Sequence, residues 1–186
     1  EDGSIAHIVY GCMDTTDAKL QSLAQQKKIS EFETEIYIDS LSQIKNRKFL
    51  DDKLVYEPCK AVVMTEIDRF KEINDTAGHR SGDEAIQKVA ELLEQSVRKE
   101  DVVIRYGGDE FLMVFFDITM EDLEHKLLHL KSAVKDIVIE DSPEVKITMS
   151  FGAAFGTELV NNLIESADKA LYESKEKRDA YTIIEI

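Results

Sequence analysis

The run Arg105-Tyr106-Gly107-Gly108-Asp109-Glu110-Phe111 constrains this chain more than any other. It sets two glycines and two adjacent carboxylates between apolar segments, Val102-Val103-Ile104 before it and Phe111-Leu112-Met113-Val114-Phe115-Phe116 after it. Strand-like segments joined by a short glycine turn predict a β-hairpin. Glycine lacks a Cβ, so the backbone can turn sharply and a large anionic ligand can come close to it. Adjacent carboxylates at such a tip repel one another unless a cation relieves them. The run reads either as a site for a divalent metal and phosphate or as a surface hairpin carrying solvated acids. The rest of the chain decides between the two.

Hydrophobic periodicity supplies the frame. Residues 5–13 form a short strand-like run ending at Asp14-Thr15-Thr16-Asp17. A polar helix is expected from 18 to 38, with an imperfect stripe of Leu20, Leu23, Ala24, Ile29, Phe32 and Ile36 that needs a partner, either its own domain or the same helix of a second chain. A break over 39–47 precedes a short helix with Phe49, Leu50 and Leu54 as its core face, and Ala61–Met64 enters a buried strand that runs into Thr65-Glu66-Ile67-Asp68. A polar loop is expected over 76–83, where Ser81 and Glu84 have the spacing of a capping box for a helix carrying Ile86, Val89, Ala90, Leu93 and Val97. After the hairpin, Met120, Leu123, Leu127, Leu130, Val134 and Ile137 step as an amphipathic helix. Val145, Ile147, Met149 and Phe151 alternate as a strand, Leu163, Ala167 and Leu171 mark a last helix, and 181–186 reads as a closing strand. This order predicts an α/β architecture: a mixed, largely antiparallel central sheet flanked by helices, with the glycine signature on a hairpin.

Charge narrows the partners. The 186 residues hold 23 Lys plus Arg against 38 Asp plus Glu, a net charge of −15, which disfavours a duplex backbone or an anionic membrane as partner. A nucleoside triphosphate can still bind through local basic groups and a metal. Cys12 and Cys59 are too few for a secreted disulfide framework and are expected as free thiols in a reducing compartment. No apolar run reaches 18 residues, so no membrane span is expected within these residues. The chain starts at Glu1 without methionine and is expected to be cut from something larger.

Glu66 and Asp68 stand two apart at the end of a buried strand and share a side if the strand stays regular. Beside the hairpin, Glu66 and Asp109 could share one or two Mg²⁺ ions, which take hard oxygen ligands, commonly one or two carboxylates plus substrate phosphates. Helix capping or solvation is the plainer use of two such acids.

Gly107-Gly108-Asp109-Glu110-Phe111 resembles the signature of the GGDEF domains, the diguanylate cyclases. So do Glu66-Ile67-Asp68-Arg69-Phe70-Lys71-Glu72-Ile73-Asn74-Asp75 through Gly78-His79 to Gly82-Asp83, the opening Asp39-Ser40-Leu41-Ser42 with Asn46-Arg47, Ser150-Phe151-Gly152, and Ala167-Asp168 through Leu171-Tyr172 with Lys175. The resemblance spans roughly residues 37–184. It implies a fold like the polymerase and nucleotidyl-cyclase palm, and a metal-dependent homodimer that condenses two GTP into cyclic di-GMP and two pyrophosphates. It implies Glu66, Asp109 and the Ile67 carbonyl as ligands of Mg²⁺ or Mn²⁺. Glu110 would lie beside the reacting ribose and phosphate as a catalytic carboxylate, either a metal ligand or the group that activates the hydroxyl. Asn74 and Asp83 would read guanine, the amides near Phe70 and Lys71 would cradle phosphates, and Lys175 would supply a point charge to them. Arg98 and Asp101 match the pattern of an inhibitory product site, nine residues before Gly107. Without the resemblance, Asn74 and Asp83 read as turn and cap residues, and Lys175 as a helix C-terminal cation.

Two positions depart from the family pattern. Glu66 stands where Asp is usual, and Asp179 where a phosphate-facing arginine is usual, with Lys177 or Arg178 as substitutes. These departures leave a second reading, a catalytically weak module that binds GTP or cyclic di-GMP to regulate. Residues 1–17 loosely resemble the end of an upstream PAS-type sensor in cis, with 18–38 as a signalling linker helix and 39–186 as the catalytic domain. The implied setting is the bacterial cytoplasm, as a free protein or as the cytoplasmic part of a membrane-anchored one.

Overall fold

The computed structural model describes residues 36–186 together with residues 19–21, 23 and 25, which are helical. The expected strand over 5–13, the sensor-like remnant over 1–17, Cys12 and most of the expected linker helix lie outside the described residues.

The chain from Ile36 onward builds a six-stranded sheet. Strand β1 (Lys45–Asn46) leads into α1 (Arg47–Phe49), whose cap is the Asn46 side chain accepting from the Phe49 amide at 3.1 Å. A π-helical turn, Leu50–Leu54, follows and buries Leu50 and Leu54. Then come β2 (Pro58–Ile67), α2 (Phe70–Ala77), α3 (His79–Gln95), β3 (Val102–Arg105), β4 (Glu110–Phe115), α4 (Met120–Ala133), β5 (Met149–Leu159), α5 (Val160–Lys177) and β6 (Tyr181–Glu185). The sheet order is β1-β3-β4-β2-β5-β6; the three inner pairings are antiparallel and the two outer ones, β1–β3 and β5–β6, parallel. The mixed, largely antiparallel sheet is as the sequence predicts.

The central strands are apolar on both faces because helices cover both. Ala61, Val63 and Ile67 of β2 pack with Ile86, Val89 and Leu93 of α3 and Leu123, Leu127 and Leu130 of α4. The alternate residues Val62 and Met64 pack with Leu50, Leu54 and, from α5, Leu163, Ala167 and Leu171. The two-residue strand period divides the core into these layers. Cys59 is a buried free thiol, and burial pushes it up to about 11. No described helix is long and apolar enough to cross a membrane.

Two elements differ from the sequence expectation. The polar loop over 76–83 contracts to Gly78, and α3 starts at His79, so Ser81 and Glu84 form no capping box. Ser81 is buried inside the helix, its hydroxyl 3.2 Å from that of Ser142, while Glu84 accepts from the Glu140 amide at 2.9 Å. The last long strand starts at Met149 rather than near Val145 and runs on to Leu159.

Candidate active site at the β2 end and hairpin tip

The hairpin forms as expected, with β3 and β4 antiparallel and Arg105 opposite Phe111. Its tip is closed by the Tyr106 and Gly107 amides donating to the Glu110 carbonyl at 2.9 and 3.2 Å. The glycines do not serve a left-handed turn, since neither has positive φ. A Cβ at Gly107 would lie 2.4 Å from Glu110 Oε2, the far end of a side chain that folds back over the turn and would have to swing aside. At Gly108 a Cβ would meet only open space.

Sheet register brings the acids together. Glu66, near the end of β2, lies directly opposite Glu110 of β4, and the Ile67 amide donates to the Asp109 carbonyl at 3.2 Å. Glu66 points to the face covered by α5, where Lys175 Nζ meets its Oε2 at 2.5 Å. Burial first, and then the Glu66 charge, raise the Asp109 carboxyl above its ordinary value, against the pull of Lys175 and Arg105. Glu110 is raised for the same reasons, with Asp109 and Asp168 of α5 adding to the repulsion. Lys175 and Arg105 thus do not offset the burial and mutual repulsion of Asp109 and Glu110, the situation a bound cation would relieve.

Hard oxygens of two carboxylates fit Mg²⁺ or Mn²⁺. Among the described residues no three His, Cys, Asp or Glu side chains converge to hold a metal by themselves. Glu66 and Asp109 could hold one only with further oxygens from outside this pair.

Asp68 does not join them. The strand ends at Ile67, and the Asp68 carboxylate accepts from the Thr148 hydroxyl at 2.7 Å, the Ser150 hydroxyl at 2.7 Å and the Asp179 amide at 2.9 Å. Asp179 in turn gives its own carboxylate to Lys135, at 2.6 Å.

Three residues past β2, α2 opens after Arg69, which is held at φ 55°. Among the described residues the Phe70 and Lys71 amides meet no protein acceptor, as expected of a helix's first turn. Asn74 of α2 lies against α3, its Oδ1 on the spot a Gly82 Cβ would occupy. Asp83, the next residue, is exposed and lines an open cleft of about 460 Å³ with Leu41, Arg80 and Gln87. Arg98 and Asp101 sit at the other end of β3 from the tip. The Arg98 guanidinium reaches the Asp117 carbonyl at 3.4 Å, and the Asp101 carboxylate accepts from the Arg98 and Phe116 amides, both at 3.3 Å. Both residues line a cavity of about 290 Å³.

One support of the site had no role in the sequence reading. Arg105 donates to the Gly108 carbonyl through Nε at 3.2 Å and Nη2 at 2.8 Å, and to Asp39 Oδ1 through Nη1 at 2.8 Å. Burial alone would raise the Asp39 carboxyl, but the Ser42 amide and hydroxyl and the Arg105 guanidinium hold it below its ordinary value. The peptide just before Asp109 is thus pinned to the first residues of the domain. The Asx spacing of Asp39 and Ser42 was visible in the sequence; its pairing with a residue 66 positions away was not.

A family model described as diguanylate cyclase, GGDEF domain, matches residues 36–180. Diguanylate cyclase DosC of Escherichia coli (strain K12) is 34% identical over 155 residues, covering 77% of this chain and 34% of that protein. The chain spans about a third of the length of the curated relatives it matches. Among solved structures, the coiled coil and GGDEF domain of DgcB from Caulobacter crescentus, in complex with c-di-GMP, superposes with a TM-score of 0.80 at 26% identity, covering 91% of this chain and 97% of that one. The DgcB GGDEF domain in complex with c-di-GMP gives a TM-score of 0.73 at 31% identity, covering 79% and 95%.

Proposed function

The chain belongs to the GGDEF, diguanylate cyclase, family, and from that membership we propose that two copies of it condense two GTP into cyclic di-GMP and two pyrophosphates. The observation that carries the reading is the register that sets Glu66 opposite Glu110 and ties Ile67 to Asp109, under Lys175. The c-di-GMP bound to DgcB supports the same nucleotide here.

In this reading Glu66, Asp109 and the Ile67 carbonyl would hold a divalent cation, which would supply positive charge beside the α-phosphate and the attacking hydroxyl. The amides of Phe70 and Lys71 receive the phosphates at the N-terminus of α2, and Lys175 adds a point charge. Asn74 and Asp83 take the guanine edge, where adenine would leave the Asp83 carboxylate unpaired. Each 3′-oxygen attacks the α-phosphorus of the partner's GTP, the bond to the β-phosphate breaks, and pyrophosphate leaves. Glu110 accepts the hydroxyl proton, a role suited to a carboxyl raised by burial and by its neighbours. Residues 1–17 are then the end of a sensor, 18–38 a linker helix that pairs two chains, and 39–186 the catalytic domain, in a bacterial cytoplasm.

The test is GTP turnover with Mg²⁺ over a range of protein concentrations, following cyclic di-GMP and pyrophosphate together. A rate per protomer that rises with concentration is expected. GTP binding without product at any concentration would leave a regulatory module instead.

Product inhibition belongs to the same proposal, with the exposed Arg98 as clamp for cyclic di-GMP and Asp101 holding its base edge. Arg98→Ala is expected to shift the inhibition curve for added cyclic di-GMP at least about tenfold, the scale of a lost charge-assisted hydrogen bond. An unchanged curve would remove Arg98 from that site.

A further inference from the structure

We propose that Glu66 and Lys175 form a latch in which the lysine ammonium holds the metal's place on Glu66 until a triphosphate draws it away, so that metal and nucleotide enter the site together. The inference rests on the reading of Glu66 and Asp109 as metal ligands.

Lys175 Nζ lies 2.5 Å from Glu66 Oε2, and the Glu66 side chain is 19% exposed against 44% for Lys175. A metal taking the Glu66 Oε2 position must displace this ammonium, and the better-exposed lysine is the member free to leave. Its backbone is fixed, because α5 is seated on β5 through Leu171 and through Ser174, whose hydroxyl bonds the Phe151 carbonyl at 2.8 Å. Only the flexible four-carbon stem has to swing. A triphosphate supplies the destination: its negative charge competes with Glu66 for the ammonium, and the vacated carboxylate oxygen becomes available to the metal.

The length of residue 66 makes the latch. An aspartate there would withdraw the carboxylate by about one carbon–carbon bond, ~1.5 Å. The contact would then open towards the outer limit of an ion pair. Glu66 is thus long enough to engage Lys175 across the gap from β2 to α5.

The measurement is binding of Mn²⁺ alone to the 186-residue chain, counting free and bound ion by its paramagnetic resonance. Lys175→Met and Glu66→Asp are both expected to bind Mn²⁺ about two- to fivefold more tightly than the parent, the scale of one partly exposed ion pair. With a non-hydrolysable GTP analogue present, the parent and Glu66→Asp should converge, because the triphosphate has already opened the latch. Melting temperature in the presence and absence of Mn²⁺ gives a second readout, with the larger Mn²⁺-induced rise expected in Lys175→Met. Unchanged or weaker Mn²⁺ binding in both variants overturns the latch, while loss of Mn²⁺ binding in Asp109→Asn would still uphold the metal site. Mn²⁺ binding that ignores Asp109→Asn overturns the metal site and the latch with it.

Discussion

Asp109→Asn is expected to lower the initial rate of cyclic di-GMP formation by about a hundred- to a thousandfold, the scale on which one charge-stabilising group in an active site acts, without loss of stability. The substitution keeps the size of the side chain and the hairpin-tip backbone, in which the Asp109 carbonyl accepts from Ile67. It removes the anionic oxygen proposed to hold the metal. Stability separates this outcome from simple unfolding, and the sign follows from proton linkage. Burial, then Glu66, raise the folded-state pKa of Asp109 above its unfolded value. The native state therefore binds that proton more tightly, and the ionised carboxylate destabilises the fold at neutral pH. That penalty fades as pH falls through the raised pKa. Asp109→Asn should melt at or above the parent temperature at neutral pH, and the parent should close the gap as the solution is acidified. A variant that keeps the parent rate would remove Asp109 from the chemistry; one that melts well below the parent would make its inactivity uninformative.

The hairpin was legible because its signals are local: two apolar runs and a glycine pair suffice to place β3, the tip and β4. The apposition of Glu66 and the tip was legible only as a condition, since it needs β4 beside β2, a pairing of residues more than forty apart. Asp68 shows why spacing alone misleads. It stands two residues from Glu66, yet partners at 148, 150 and 179 consume its carboxylate. The same holds for Asp179, which the sequence sets where a phosphate cation was expected and the fold turns towards Lys135. Ser81 and Glu84 match a capping box in spacing, but Ser81 faces Ser142 inside the core and the helix has already begun. The length of β5 was missed because Gly152-Ala153-Ala154 has low strand propensity. Gly152 has no side chain because the backbone of α5 lies directly on it.

That closeness carries the largest expected effect on stability, Gly152→Ala. Gly152 sits in the middle of the sheet, opposite Met64 of β2 on one side and Thr182 of β6 on the other. A Cβ added there would stand 1.9 Å from the Leu171 amide nitrogen, 2.4 Å from the Ala167 carbonyl oxygen and 2.5 Å from the Leu171 Cα. All three are backbone atoms of α5, so no side-chain rotation relieves the overlap and the helix must lift. Lifting it strips Leu163, Ala167 and Leu171 from their contacts with Val62, Met64 and Leu112 and pulls Ser174 from the Phe151 carbonyl. Overpacking of this kind costs about 3 kcal/mol, which for a chain of this size lowers the melting temperature by about 10 °C. The damage reaches the site as well, because Lys175 follows Leu171 by one turn on the same helix. Folded Gly152→Ala should therefore show a raised KM for GTP in addition to its lower melting point, whereas Asp109→Asn should lose rate and keep its stability. A single methyl that left the melting temperature within a degree of the parent would mean that α5 rides higher on the sheet than these distances require, and the seat of Lys175 over Glu66 would lose its rigid support.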